Sequence, residues 1–170
     1  YGCLTVMFAS LINRFEIVLA GVGMGSKKNL TREVQQAIED ADILLGAERM
    51  IAGCQPRFEK MPFYTAGQII PYLEKMQQKD LLLADKKVVV LFSGDSGFYS
   101  GCQNLYQALQ TEIDKGRLDA SVRIFAGISS VAYLAACIGE SYHDAAICSM
   151  HGKALPNLAR RIRREKKTFL

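Results

Sequence analysis

Val88-Val89-Val90-Leu91-Phe92 runs straight into Ser93-Gly94-Asp95-Ser96-Gly97-Phe98-Tyr99-Ser100-Gly101, and this stretch decides the fold. An unbroken apolar run between Lys86-Lys87 and a glycine reads as a strand buried on both faces, as in a parallel sheet covered by helices. The small residues that follow form a loop around one carboxylate, Asp95, before a helical pattern begins. In an open parallel sheet, ligands bind beyond the carboxyl ends of the strands, so this loop stands where a ligand sits. Its glycines let backbone amides approach a ligand without side-chain obstruction. The plainer reading is a tight strand-to-helix turn with Asp95 as the helix N-cap. Taken alone, the loop leaves both readings open.

The arrangement recurs. Phe15-Glu16-Ile17-Val18-Leu19-Ala20 leads into Gly21-Val22-Gly23-Met24-Gly25-Ser26, and Ser121-Val122-Arg123-Ile124-Phe125-Ala126 leads into Gly127-Ile128-Ser129-Ser130. Each strand ends in glycine and small hydroxyl residues, and a helical pattern follows each loop. Such loops gathered at one sheet edge form a cleft lined by backbone amides and short polar side chains.

Elsewhere, Leu30, Val34, Ala37, Ile38 and Ala41 share one helical face, with Asn29 as the expected cap. Residues 42–46 read as a second strand, 50–52 as part of a brief helix, and 58–63 as a third strand. Ile69, Ile70, Tyr72, Leu73 and Met76 mark another helix, with Pro71 near its first turn. Phe98, Cys102, Leu105, Leu109 and Ile113 form the clearest amphipathic face, read as core. Residues 131–138 make a helix ended by Gly139, and 145–150 a strand before His151-Gly152-Lys153. Strands alternating with helices predict an α/β fold on a parallel sheet. The expected organisation is an extension at 1–14, an N-terminal α/β domain at 15–140 and the start of a second α/β domain at 141–170, with the boundary near 139–144. Lys166-Lys167-Thr168-Phe169-Leu170 reads as the opening of a strand, so the chain is expected to stop inside that second domain.

The 170 residues are 49% hydrophobic and 22% charged, enough for a sizeable core and too apolar for disorder. A net charge of +4 argues against a dedicated nucleic-acid binder and suits a small anionic ligand. Cys3, Cys54, Cys102, Cys137 and Cys148 contain no Cys-x-x-Cys pair, and with only His143 and His151 beside them no zinc spacing arises. Scattered thiols in odd number fit a reducing compartment, so the cytoplasm is expected. No apolar stretch reaches the ~18 residues of a membrane span. The apolar opening precedes its first basic residue, Arg14, the reverse of a signal peptide.

Gly21-x-Gly23-x-Gly25 after a strand suggests a dinucleotide fingerprint, but the next glycine position holds Ser26. The ribose-binding acid is also missing from the end of the second strand, where only Glu48 is near. An NAD(P)-binding oxidoreductase is therefore the weaker enzyme reading.

Gly21-Val22-Gly23-Met24-Gly25, Leu30-Thr31, Ala41-Asp42, Ser93-Gly94-Asp95-Ser96-Gly97-Phe98-Tyr99, Gly127-Ile128-Ser129-Ser130-Val131 and Met150-His151-Gly152 follow one another as in the tetrapyrrole methylase family, which the chain resembles from about Glu16 to Leu170. Within it, the Ser-Gly-Asp-x-Gly-Phe-Tyr loop, the Gly-Ile-Ser-Ser-Val segment and the His-Gly pair are most similar to the branch that methylates C5 of precorrin-6Y or cobalt-precorrin-7 in cobalamin biosynthesis. The resemblance implies S-adenosylmethionine as methyl donor, an anionic corrin-pathway tetrapyrrole as acceptor, two α/β domains, a homodimer, and a separate decarboxylating, C15-methylating subunit as a partner. Carried over by position, it implies donor contacts at Met24, Gly94, Asp95, Phe98, Ser129 and Ser130. The glycines Gly21, Gly23 and Gly25 would line the acceptor side. The family often has proline where Met24, Ser96 and Ala126 stand here, and its members are longer.

Methyl transfer from a sulfonium is an in-line displacement that needs alignment and desolvation more than a strong base. A cleft of amides, hydroxyls and one carboxylate suffices. For the acceptor's carboxylates, Lys27, Lys28 and Arg32 beside the glycine loop are the best partners, ahead of Arg49, Lys153 and the run Arg160-Arg161-x-Arg163-Arg164-x-Lys166-Lys167, which reads as a solvated helix face. His151 is a candidate proton shuttle. A non-catalytic tetrapyrrole-binding domain is the remaining alternative.

Overall fold

The computed structural model describes residues 15–57, 59–79, 86–148, 157–165 and 167–169. The apolar runs become parallel strands β1 (Phe15–Gly21), β2 (Ile43–Gly46), β3 (Glu59–Met61), β4 (Lys87–Phe92) and β5 (Ala120–Phe125), ordered β3-β2-β4-β1-β5. Between them lie helices α1 (Arg32–Glu39), α2 (Glu48–Ile51), α3 (Ala66–Lys79) and α4 (Cys102–Asp114). Alternate residues of the central strands feed opposite cores, as the strand period requires. Ile17, Leu19, Val88, Val90 and Phe92 pack with Ile69 and Leu73 of α3 and with Cys102, Leu105 and Leu109 of α4. Val18, Ala20, Val89 and Leu91 pack with Val34 and Ala37 of α1 and Ile51 of α2. Both faces are covered, so a fully apolar β4 is what burial selects.

From β1 the chain crosses to β2 through α1, and from β4 it crosses to β5 through α4, on the opposite face. Neighbouring strands β1 and β4 thus send their connections in opposite directions, which is the topological switch point where open α/β sheets form a crevice.

Several local readings shift. The cap of α1 is Thr31 rather than Asn29: its hydroxyl accepts from Val34 N at 3.3 Å, while Asn29 closes a 3-10 turn at Lys27–Asn29. Helix α3 begins earlier than its apolar stripe, because Gln68 Oε1 reaches back to Thr65 N at 3.3 Å as in a capping box. Pro71 therefore sits inside the helix, where the Gly67 carbonyl loses its usual donor. Phe98 matches the α4 stripe in phase but precedes the helix, which starts at Cys102. Strand β5 is an edge strand, and its Ser121, Arg123 and Ile124 are exposed rather than core.

The chain divides into two compact units between Ile128 and Ser129, about ten residues ahead of the expected 139–144 segment, which opens on the glycine at 139. That glycine does end a helix, with a φ of 68°, but the helix belongs to the second unit. This unit holds α5 (Ser130–Ile138), β6 (Ala146–Ile147), α6 (Leu158–Arg164) and β7 (Thr168–Phe169), with β6 and β7 parallel. Of the strand expected at 145–150, Cys148 still donates to Phe169 O at 2.9 Å, while Ser149 and Met150 lie outside the described residues. No helix among the described residues is long and apolar enough to cross a membrane.

Candidate functional site

Strands β1, β4 and β5 are neighbours and end level with one another, Gly21 opposite Phe92 and Ala20 opposite Phe125. Their exit loops are tied directly. Gly23 and Gly94 form an isolated bridge in which each N–H donates to the other's carbonyl at 2.9 Å. On the other flank, the Ser96 hydroxyl donates to Phe125 O at 3.0 Å. Ser96 is the buried polar side chain of the described residues, and this bond accounts for it. The loop after β4 is thereby clamped to the loop after β1 and to the end of β5.

The glycines divide into two kinds. A Cβ on Gly127 would stand 2.3 Å from Gly94 O and 2.6 Å from Gly21 O, and one on Gly21 would stand 2.8 Å from Gly127 N and from Gly94 O. These two let backbones touch. Gly25 and Gly94, with φ of 85° and 74°, have nothing within 4 Å of a Cβ and border open space.

Asp95 opens a turn, Phe98 N donating to its carbonyl at 3.2 Å and Gly97 N to its Oδ1 at 3.0 Å. It does not cap α4: the N-cap there is Gly101, and Ser100 Oγ accepts from Cys102 N at 3.2 Å. Asp95 Oδ2 is left without a hydrogen-bond partner among the described residues. Cys102 is buried, which together with the nearby Asp95 charge pushes its thiol up to about 11. It stays protonated near neutral pH and is no nucleophile.

Residues 16–170 match the family described as Tetrapyrrole (Corrin/Porphyrin) Methylases. The chain belongs to the tetrapyrrole methylases. It is 31% identical over 139 residues to the cobalt-precorrin-7 C(5)-methyltransferase of Salmonella typhimurium, covering 82% of this chain and 63% of that protein. It is 28% identical over 137 residues to a probable cobalt-precorrin-7 C(5)-methyltransferase of Methanocaldococcus jannaschii, covering 81% of this chain and 61% of that protein. The crystal structure of the methyltransferase CobJ superposes with a TM-score of 0.65 at 26% identity, over 88% of this chain and 63% of that one. The chain thus spans under two thirds of the length of these relatives.

In this tetrapyrrole methylase the residues singled out from sequence fall into distinct places. Gly21 and Gly23 are buried, Gly21 packed on the backbone of the other two loops and Gly23 joined to Gly94 by the bridge. Gly25 is exposed. Met24 is exposed at the tip of the first loop, and Phe98 is half-buried with its ring edge-to-face on Tyr99. Lys27, Lys28 and Arg32 are exposed and form no ion pair among the described residues. Ser129 and Ser130 start the second unit, where the Ser129 hydroxyl accepts from Ala132 N at 3.2 Å as the cap of α5. Its hydroxyl is engaged in holding the helix. His151, Lys153 and Lys166 lie outside the described residues. Sequence reasoning missed the Ser96 tie, because no local signal marks a hydroxyl whose partner is 29 residues away.

A hollow of about 240 Å³ lies between α1 and the sheet, lined by Glu16, Glu33, Asp40, Lys87, Arg123 and Phe125 among others. Its charges satisfy one another. Arg123 meets Glu16 at 2.9 Å and covers the Phe125 ring at 4.8 Å, and Lys87 lies 3.7 Å from Glu16 and 3.8 Å from Asp40. It is an ion-pair network along the sheet, in which the Phe125 ring forms the wall nearest the glycine rim.

Proposed function

We propose that this chain is a methyltransferase that holds S-adenosylmethionine against the rim formed after β1, β4 and β5. The acceptor is a corrin-pathway tetrapyrrole, with C5 of precorrin-6Y or cobalt-precorrin-7 as the methylated position. The observation that carries this reading is the Gly23–Gly94 bridge with Gly127 packed beneath it, which brings distant bends to one edge. The two C5-methylating relatives support the choice of acceptor carbon. A homodimer beside a separate decarboxylating subunit completes the proposal.

The residues present fit the donor. Open space at Gly25 and Gly94 admits backbone-close contact, and the free Oδ2 of Asp95 is positioned to accept from a ribose hydroxyl or an ammonium group. Met24 and Phe98 add apolar surface.

The donor supplies a methyl group on a sulfonium: the carbon–sulfur bond breaks as the new carbon–carbon bond forms on the acceptor, and S-adenosylhomocysteine leaves. The protein's share is alignment and exclusion of water, where orientation alone supplies ~7–11 kcal/mol of the barrier in well-ordered systems. Lys27, Lys28 and Arg32 would orient the acceptor by its carboxylates. An NAD(P) site is disfavoured: Ser26 caps the 3-10 turn by accepting from Lys28 N at 3.3 Å, and β2 ends in Gly46 with no acid.

Calorimetric titration with S-adenosylhomocysteine tests the reading. The wild-type chain binds, and Asp95→Ala binds at least about tenfold more weakly, the loss expected for one charge-assisted hydrogen bond. Unchanged affinity removes Asp95 from the site.

A further inference from the structure

Tyr99 is placed in a way that the packing of the fold does not explain. Its φ is +47°, and the other non-glycine residue with positive φ among the described ones is Asn157. Asparagine tolerates that region through its short polar side chain, whereas tyrosine enters it at a steric penalty. Glycine, which adopts such angles freely, stands at Gly94, Gly97 and Gly101 in this very loop, yet the strained position holds a large aromatic residue. Burial does not offset the strain, because Tyr99 is 66% exposed. Its hydroxyl has no hydrogen-bond partner among the described residues. What fixes the ring is Phe98, half-buried beside it, with centroids 4.7 Å apart and planes at 89°. The result is an aromatic side chain that is both oriented and in solvent.

The other two loops of the rim end in the same way. Met24 is 45% exposed at the tip of the first loop and Ile128 is 36% exposed in the third. A Cβ on Gly23 would stand 3.6 Å from the Ile128 backbone, so these tips adjoin. Each loop of the rim therefore offers one large apolar side chain to solvent. Lys27, Lys28 and Arg32 follow in the chain, exposed and without ion-pair partners among the described residues. Exposed apolar side chains on three neighbouring loops, with unused cations a few residues along the first, suit a flat conjugated ring that carries carboxylates or is attached to polar groups.

We propose that Tyr99 is a stacking platform: the strained backbone holds its ring out of the core, where it takes the flat face of a conjugated ring. This rests on the methyltransferase reading and adds to it the side chain that recognises the ring. Two rings share that chemistry, the adenine of the donor and the macrocycle of the acceptor.

The test uses the full chain as wild type, Tyr99→Gly, Tyr99→Asn and Tyr99→Phe. The readouts are thermal melting, calorimetry with S-adenosylhomocysteine and fluorescence titration with uroporphyrin III. Glycine and asparagine both keep the left-handed backbone while removing the ring, and asparagine controls for glycine's extra freedom in the unfolded chain. Both are expected to melt no lower than wild type and to bind one probe at least about fivefold more weakly. Tyr99→Phe keeps wild-type affinity. The probe that loses affinity names the ring. Wild-type affinity for both probes in Tyr99→Gly and Tyr99→Asn overturns the inference alone, as does a fall in melting temperature that accompanies every loss of affinity. A wild-type chain that binds neither probe overturns the methyltransferase reading and this inference with it.

Discussion

At the scale of single residues, Gly127 and Gly94 make opposite demands. A methyl at Gly127 meets backbone atoms at 2.3 and 2.6 Å, and backbone held in two other loops does not yield as a flexible side chain would. Gly127→Ala is expected to lower stability by about 2 kcal/mol or more, in the range of core overpacking, and to abolish binding of S-adenosylhomocysteine. Gly94→Ala meets no clash and incurs only the left-handed backbone penalty, about 1–2 kcal/mol. Urea denaturation of both variants compares them. Equal and small losses would show that the third loop does not press against the first two. Ser96 belongs to the same scale: its hydroxyl ties the turn after β4 to β5 by a hydrogen bond across the rim.

At the scale of elements, the short helix α1 carries both structure and function. Its inner face brings Val34 and Ala37 into the core under β1, and its first residue is Arg32, a proposed acceptor contact. Only eight residues long, the helix is marginal by itself, so its cap matters. Thr31→Ala removes the bond to Val34 N and is expected to cost about 1 kcal/mol in urea denaturation. Thr31→Ser restores most of it. A null effect of Thr31→Ala would mean that packing alone holds the first turn. Helix α3 shows the same logic, since Gln68 and Thr65 start it well before the apolar stripe that announces it, and so place Pro71 inside.

At the scale of the whole molecule, charge is divided between two uses. Along the sheet beside α1, Glu16, Lys87, Arg123 and Asp40 pair among themselves. Beside the glycine rim, Lys27, Lys28 and Arg32 stand exposed and without ion-pair partners among the described residues. Replacing all three by glutamine is expected to weaken uroporphyrin III binding at least about tenfold at low salt and to flatten its salt dependence. Donor affinity should stay as in wild type. Loss of donor affinity to the same extent would place these cations in the folding of the rim instead of in acceptor binding.

Sequence by itself determined the sheet. Val88 to Phe92 and Ile17 to Ala20 are apolar at consecutive positions, and such short β-branched runs bounded by glycine fit a strand covered on both faces, so class, strand count and the position of the glycine loops were legible from local pattern. Helix starts were legible only in part, because Asn29, Thr31 and Thr65 are all competent caps, and the choice depends on which downstream amide is left unpaired. What tertiary structure alone decided was the use of each glycine and of the residues between them. Gly21 and Gly127 are indistinguishable in sequence from Gly25 and Gly94, yet two are crushed between backbones and two face open space. Ser96 finds its partner and Tyr99 its strained angle only once β4 lies beside β1 and β1 beside β5. Burial pattern is a property of neighbours along the chain; close approach is a property of neighbours in space, and nothing in a single sequence records it.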